Sequence, residues 1–595
     1  MLKSQGVFVC SLKSKRAVKN ELFNSSFRFL RLKRLNMKFS DFFVAERRFY
    51  RRGASLAVCS ALLLSLALPC AGASAANGNV AANGNLANGN AVVSAAGDAD
   101  TFIEISDAAG LIAALGGDDF AELREDGSVM LLRDVELTSE LRITGGDILL
   151  LGAGVTVSGA VISVFDGSLT VGKQGDTGDE PSLRFTRGGS GRAFEVSGGT
   201  LVISDGVRIN GCDAVEGGAV SVTGGALELR GGEIYGCTAV LGGAVIINSG
   251  RMVMYSGQIS SCSADQGGAI YLRSGSFELS GGCIGRHSAL NDKGSTVEYG
   301  EPCSAASGGG IYVGSGECTL SGGEISECDG SGIYISESGS ALISGSAVNR
   351  CTAEQGGGIY NSGSLKISDG SVNECVAEQG GGVYNSGSLT VDGGKLFSCT
   401  AQTLGGCLYN DAAATAELSG GAVTSGSAEV GACIYNAGSF LFTGGAVGHG
   451  KTESGVGAGL ASTGGIELSA VAYIYNDSAL SLISDGGFEP LVISGELTGA
   501  DIMMHIEVIE QGSDGMRALR SPGAAVIAAD SPELLSAAAC RLRYGGDIEI
   551  KADGTVAPDM RPIIIACAAV AVAAAAAVHI IVLHLRARKK RMELM

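Results

Sequence analysis

The residues of this chain that could do chemistry recur at fixed spacing instead of gathering in one place. Seven cysteines share one register: Cys212, Cys237, Cys262, Cys328, Cys351, Cys375 and Cys399. Seven of the 14 tyrosines share another: Tyr271, Tyr312, Tyr334, Tyr360, Tyr384, Tyr409 and Tyr435. Asn361, Asn385, Asn410 and Asn436 each follow one of those tyrosines directly. Thiols can pair, ligate metals or pack as small hydrophobes, depending on their surroundings. Phenol rings can stack, and carboxamides can bond to one another. Only one local set combines acid, base and cation, in the stretch Arg286–Ser307: Arg286, His287, Asp292, Lys293, Glu298, Tyr299 and Glu301.

These repeats need a frame that returns each residue type to the same place. CTAEQGGGIYNSGSLKISDGSVNE, from Cys351 to Glu374, is one 24-residue unit, and Cys375 starts the next. The unit holds short runs of alternating apolar and polar residues, which predict strands. Gly, Ser, Asn and Asp separate them, as turns require. No unit has room for an amphipathic helix. Three short strands per 22–26 residues describe one coil of a parallel β-helix, in which each coil pairs with the next at about 4.8 Å. Units recognisable from about residue 130 to 500 predict roughly 15 coils, a rod on the order of 70 Å long.

In the β reading, Ile311-Tyr312-Val313 and Ile333-Tyr334-Ile335 turn their apolar residues inward and their tyrosines outward. The tyrosines are then expected to form an exposed aromatic strip, either stabilising the sheet or serving as a platform for sugar rings or a partner. The asparagines are expected to form an inward ladder. The cysteines are expected to form a mostly reduced inward ladder, with His287 in the gap of the series. Stacked cysteines have parallel Cβ vectors, whereas a disulfide requires them to converge to about 3.8 Å. If one disulfide forms, Cys407–Cys433 is the expected pair. Thirteen cysteines between 76 and 561 is an odd number, so at least one is free or pairs between chains.

The phrases Gly267-Gly268-Ala269-Ile270-Tyr271 and Gly356-Gly357-Gly358-Ile359-Tyr360 resemble the GGA-I repeats of bacterial surface β-helix proteins. Those include the polymorphic outer-membrane proteins and the wider right-handed, pectin-lyase-like class. The companion F-x-x-N motif of that class reads [ILV]-x-x-C here, as in Val348 to Cys351 and Leu396 to Cys399. The resemblance covers about two thirds of the chain. It implies an all-β, single-stranded, right-handed parallel β-helix and carries little about function, because one fold hosts many activities. It also implies where an enzyme of this class would show itself. The N-x-D and R-x-K motifs of its glycoside hydrolases are absent from 76–561, and Asp118-Asp119, the one adjacent aspartate pair, precedes the coils. Trp, the best sugar-stacking residue, is absent.

In chain order, 1–75 reads as a signal segment with an extended basic leader. Its apolar stretch Ala54–Leu68 follows four arginines, and cleavage is expected after Ala75. Met37 would open a signal of more ordinary length. Residues 76–100 repeat Ala-Asn-Gly as a linker. A cap with a helix from Ala108 to Leu115 is expected over 101–130, coils over 131–489 and a C-terminal cap over 490–556. Ile563–Leu585 is 23 residues without a charge, about 34 Å as a helix and enough to span a bilayer. Arg586, Arg588, Lys589, Lys590 and Arg591 follow, so the tail 586–595 is expected in the cytoplasm and the rod outside.

Residues 76–561 hold 23 basic and 57 acidic residues, net −34. Such a rod repels nucleic acid and anionic lipid. With no CxxC and only His287, His449 and His505 in that stretch, no metal and no cofactor are expected. The sequence therefore predicts a single-pass surface protein, non-catalytic, whose partner is a surface glycan or protein. The ligand-contact candidates are the seven tyrosines with Arg286, Asp292 and Glu298. The alternatives are a spacer without a specific ligand and, third, a polysaccharide lyase or hydrolase.

Overall fold

The computed structural model describes residues 102–592, apart from 177–180, 189, 291–295, 476–477, 485–487, 499–503, 513–514, 520–523, 545–547 and 558–560. The expected signal segment with Ala75 and the linker 76–100 lie outside the described residues. The chain forms an all-β parallel solenoid of about 14 turns, close to the roughly 15 expected.

One coil shows how. The strands Ile359–Asn361, Ser364–Asn373 and Val376–Gln379 lie on Val383–Asn385, Ser388–Val391 with Lys395–Phe397, and Thr400–Leu404 of the next coil. The partners are Tyr360↔Tyr384, Leu365↔Leu389, Val372↔Leu396 and Val376↔Thr400, all parallel. Ile359, Leu365, Ile367 and Val372 point inward and are buried. Burying each is worth roughly 1.5–3 kcal/mol, and one coil alone has nothing to bury them against. Stacking therefore makes the core.

Two backbone devices turn the chain. The long middle strand bends at Gly370, whose φ is +89°; a Cβ there would lie 2.3 Å from the Ser346 carbonyl oxygen. The second turn precedes the cysteine register. Ser261, Glu327, Arg350, Glu374 and Ser398 have φ between +50° and +56°, and Ser425 and His449 take the same conformation at +59°. Seven non-glycine residues thus occupy the left-handed region in one column.

The last strand of each coil belongs to separate parallel sheets. One is built from Asp213–Glu216, Thr238–Leu241, Ser263–Gln266 and Ser304–Ser307, the other from Val376–Gln379, Thr400–Leu404, Ser427–Val430 and Lys451–Val456. Val430 and Val456 pack with Ala461, Ile483 and Ile509, and with the partly buried Leu404 and Tyr435. This is a small second core outside the main one.

At the N-terminal end Phe102–Ile105 already pairs in parallel with Glu140–Ile143. Helix α1 (Ala108–Ala114) starts at Asp107, whose Oδ1 accepts a bond from the Gly110 amide at 2.8 Å, and it buries Leu111 and Ile112. Parallel pairing continues past the expected limit of the coils, through Leu491–Leu497, Met504–Gly512 and Leu542–Tyr544. Helix α2 (Pro532–Ala539) is capped by Ser531, whose Oγ accepts from the Leu534 amide at 3.1 Å. Helix α3 (Arg561–Met592) contains the stretch read as a membrane span. Among the described residues no helix is long and apolar enough to cross a membrane. The side chains of 561–567, 585 and 587–592 fall outside the description.

Candidate functional site

A concavity lies at the bend of the coils' middle strand, in register with Gly370. The sequence repeats a short phrase there: Gly231-Gly232-Glu233-Ile234, Ser256-Gly257-Gln258-Ile259, Gly281-Gly282-Cys283-Ile284 and Gly322-Gly323-Glu324-Ile325. The second residue of each phrase is a glycine with φ between +70° and +92°. At Gly257 a Cβ would lie 2.6 Å from the Gly231 carbonyl oxygen, so no other residue fits without moving the backbone. The isoleucine points into the core and is fully buried. The third residue points out, on the floor of the corner.

The coil register aligns those floor residues as Arg208↔Glu233↔Gln258↔Cys283↔Glu324↔Ala347. The corner, with no side chain at its glycines, forms a groove of about 660 Å³ running along the axis, with Asp176 and Asp205 at its N-terminal end. Arg208 Nε donates to Glu233 Oε2 at 2.7 Å, and its guanidinium lies 5.7 Å from the Tyr235 ring centroid. Asp205 Oδ2 accepts from the Gly175 amide at 2.8 Å. Burial, reinforced by the Glu324 carboxylate, pushes the Cys283 thiol well above its ordinary range. The floor thus offers polar side chains at Arg208, Glu233, Gln258 and Glu324, in coils about 4.8 Å apart, with the buried Cys283 interrupting the series and Ala347 ending it. A polymer lying along the axis would meet a polar group in four of these six coils.

The tyrosine column lies on another face. Tyr271, Tyr312, Tyr334, Tyr360, Tyr384, Tyr409 and Tyr435 stack in sequence, ring centroids 4.6–5.5 Å apart and planes within 14°. The guanidinium of Arg273 lies 5.8 Å from the Tyr271 centroid. The same arginine donates to Glu216 Oε1 at 2.6 Å and Asn248 Oδ1 at 2.5 Å. The expected exposed strip needs correction. Tyr384 and Tyr409 are only 7% and 9% exposed, and the other five are half-buried. Closing segments of the coils lie beside the column, where Leu404 and Tyr435 pack on the same small core. Tyr334 and Tyr360 line a crevice shared with Ala353, Glu354 and Gln355, in the segment that closes the coil before Gly356. Burial pushes the Tyr384 phenol well above its usual range, with Asp411 adding to the rise.

Asn361, Asn385, Asn410 and Asn436 are fully buried and form one directional ladder, each Nδ2 donating to the next Oδ1 at 2.7 Å. Asn436 ends it by donating to Ser462 Oγ at 2.9 Å. Cys212, Cys237, Cys262, Cys328, Cys351, Cys375 and Cys399 are buried and outside any disulfide, and so are Cys407 and Cys433, the pair expected from the sequence. Cys303, not His287, fills the gap: its carbonyl accepts from the Asp329 amide, as the Cys262 carbonyl does from Ser304.

The mixed insertion is a hairpin, with His287–Leu290 antiparallel to Thr296–Tyr299. Asp292 lies outside the described residues, as does the side chain of Glu298. Arg286 clamps the hairpin base, with Nη2 2.6 Å from Glu301 Oε2 and Nη1 3.5 Å from Glu327 Oε2.

No family, curated protein or solved structure matches this chain.

The groove escaped the sequence reading, although its signal was present. The phrase [GS]-G-x-I recurs at coil spacing with polar residues or cysteine at x, but its glycines read as turn punctuation alone.

Proposed function

We propose that this protein is a membrane-anchored cell-surface β-helix that binds an extended glycan or protein segment along its axis without catalysing a reaction. The observation that carries this reading is the groove, whose floor aligns the polar side chains of Arg208, Glu233, Gln258 and Glu324 along the axis. A site built on stacked strands is rigid, so little ordering is lost when a partner binds. The strongly acidic surface disfavours nucleic acid. The proposed anchor is α3. Its side chains Val570, Val572, Val578, Ile580, Ile581 and Leu583 are 49–70% exposed, an apolar surface with nothing in the solenoid laid over it. The GGA-I phrases support kinship with the pectin-lyase-like surface proteins.

The spacer reading is favoured by one observation: the tyrosines that a flat binding platform would need are covered. An enzyme would use the groove carboxylates, and Glu233 there is already bonded to Arg208. Incubation of the purified protein with acidic and neutral polysaccharides separates the catalytic reading from the others. New reducing ends or unsaturated uronates, lost in Glu324→Gln, would contradict the non-catalytic assignment. Unchanged polymer length is the expected result.

A further inference from the structure

One sulfur occupies the same place in the core of every coil from Cys212 to Cys433. From Cys212 to Cys399 the cysteines are successive rungs, because each carbonyl accepts from the residue after the next rung, as Thr352 N bonds to Cys328 O and Val376 N to Cys351 O. The next two rungs are Gly426 and Gly450. There the sulfur arrives from the facing strand. A Cβ on Gly426 would lie 2.9 Å from Cys407 Sγ, and one on Gly450 3.0 Å from Cys433 Sγ. Earlier coils show the mirror arrangement, with a Cβ on Gly382 lying 3.2 Å from Cys399 Sγ. Cysteine and glycine have exchanged strands, and the sulfur has stayed. A requirement for small volume alone would be met by alanine. The column is ten thiols long, and the ones in it are 0–1% exposed.

The rung spacing decides what this column suits. Coils repeat at about 4.8 Å. A disulfide needs sulfurs about 2.05 Å apart and Cβ atoms near 3.8 Å, so neighbouring rungs would have to converge. An ion held in line midway between two stacked thiolates would lie about 2.4 Å from each, half the coil spacing, so the rungs need not converge. Among the described residues no three metal-ligating side chains converge on a point, which excludes the tetrahedral arrangement zinc prefers. Soft thiolate sets select monovalent copper and its chemical relatives.

We propose that the cysteine column is a single-file binding site for soft monovalent metal ions, Cu(I) or Ag(I), each held linearly between sulfurs of adjacent coils. Each ion that enters displaces one thiol proton, and inner sulfurs bridge two ions. Charge is therefore conserved along the column, and a buried apolar core receives no net charge. No electron is transferred. Because the thiols are enclosed, loading takes place as the coils close during folding.

The test refolds the full chain without oxygen, in a phosphine reductant, with Ag(I) present and then removed by a competing thiol ligand. Metal per chain is counted by mass spectrometry, and sulfur neighbours by X-ray absorption. Several retained ions per chain, each with two sulfur neighbours, are expected. Cys351→Val, a core-compatible change in the middle of the column, should lower the count by about two, and Cys540→Ser should leave the column's share unchanged. Circular dichroism establishes that each variant folds. Should Cys351→Val not fold, Cys212→Val at the column's end serves, with an expected loss of one. Retention of no ions, a count unaffected by these column variants, three or four sulfurs per ion, or recovery of the column as intercoil disulfides would each overturn the proposal.

Discussion

Asn361 donates its side-chain amide to Asn385 Oδ1 at 2.7 Å, and its own Oδ1 is buried with no donor. The ladder therefore has a direction and an unfinished end. The position one coil earlier is Ile335, which pairs with Asn361. Placing a donor there should complete it. Ile335→Asn is expected to cost about 1–3 kcal/mol less than Ile333→Asn on the same strand, because it satisfies a buried acceptor. Interrupting the ladder acts the other way. Asn385→Leu leaves a donor of Asn361 and the Oδ1 of Asn410 unpaired, for a loss of about 2–6 kcal/mol. Hydrogen exchange resolved along the coils reads both effects locally, which suits a solenoid whose unfolding need not be all-or-none.

The left-handed column before the cysteine register is a reservoir of strain. Ser398 has φ +56°. Ser398→Gly should stabilise the protein by about 0.5–1 kcal/mol, since glycine adopts this conformation without the steric cost of a Cβ. Ser398→Val should destabilise it by more than that. Urea midpoints of the two variants, measured against the parent, decide. A glycine variant weaker than the parent would mean that the serine hydroxyl outweighs the backbone strain.

Glu507 pairs one coil after Ser481, whose Oγ donates to its Oε1 at 2.5 Å. Burial holds its carboxyl above the ordinary range. The folded state therefore keeps the proton to a higher pH than the unfolded chain. This group's stabilising contribution is full below its unfolded pKa and is lost as pH rises through the folded one. Glu507→Gln should remove that decline, giving a protein more stable than the parent near pH 7 and similar to it near pH 4. Denaturant midpoints at the two pH values measure it.

The hairpin can be removed cleanly only if its base is respected. Cys303 is a rung of the core, and Arg286, Glu301 and Glu327 form the clamp beneath the hairpin. Replacing 288–298 with a short Gly-Ser turn should leave the fold intact by circular dichroism. Extending the cut to Cys303 should expose the neighbouring thiols Cys262 and Cys328 to alkylation. In the parent protein, Cys540, the one exposed cysteine among the described residues, should react first.

The solenoid was legible because its period is written in the residues themselves. Cys351, Cys375 and Cys399 are evenly spaced, and Tyr360-Asn361 recurs as Tyr384-Asn385. Inward and outward placement followed from alternation along single strands, which is why the asparagines could be placed. What alternation does not encode is the packing of one strand over another's outer face. Tyr384 and Tyr409 point out of the main core and are still buried, and Tyr435 packs with Leu404 on the small second core. Cys303 was missed for a related reason. The hairpin insertion shifts its number while leaving its place in the coil unchanged.

The claim that the protein binds an extended ligand along its groove is tested most directly on glycan and matrix-protein arrays. The parent is compared with Glu324→Lys, in the groove floor, and with a Tyr334→Thr/Tyr360→Thr pair on the tyrosine face. Saturable binding by the parent is expected, lowered at least tenfold by the groove change and little altered by the tyrosine pair. Saturable binding that survives Glu324→Lys at parental strength, or no saturable binding at all, would contradict it.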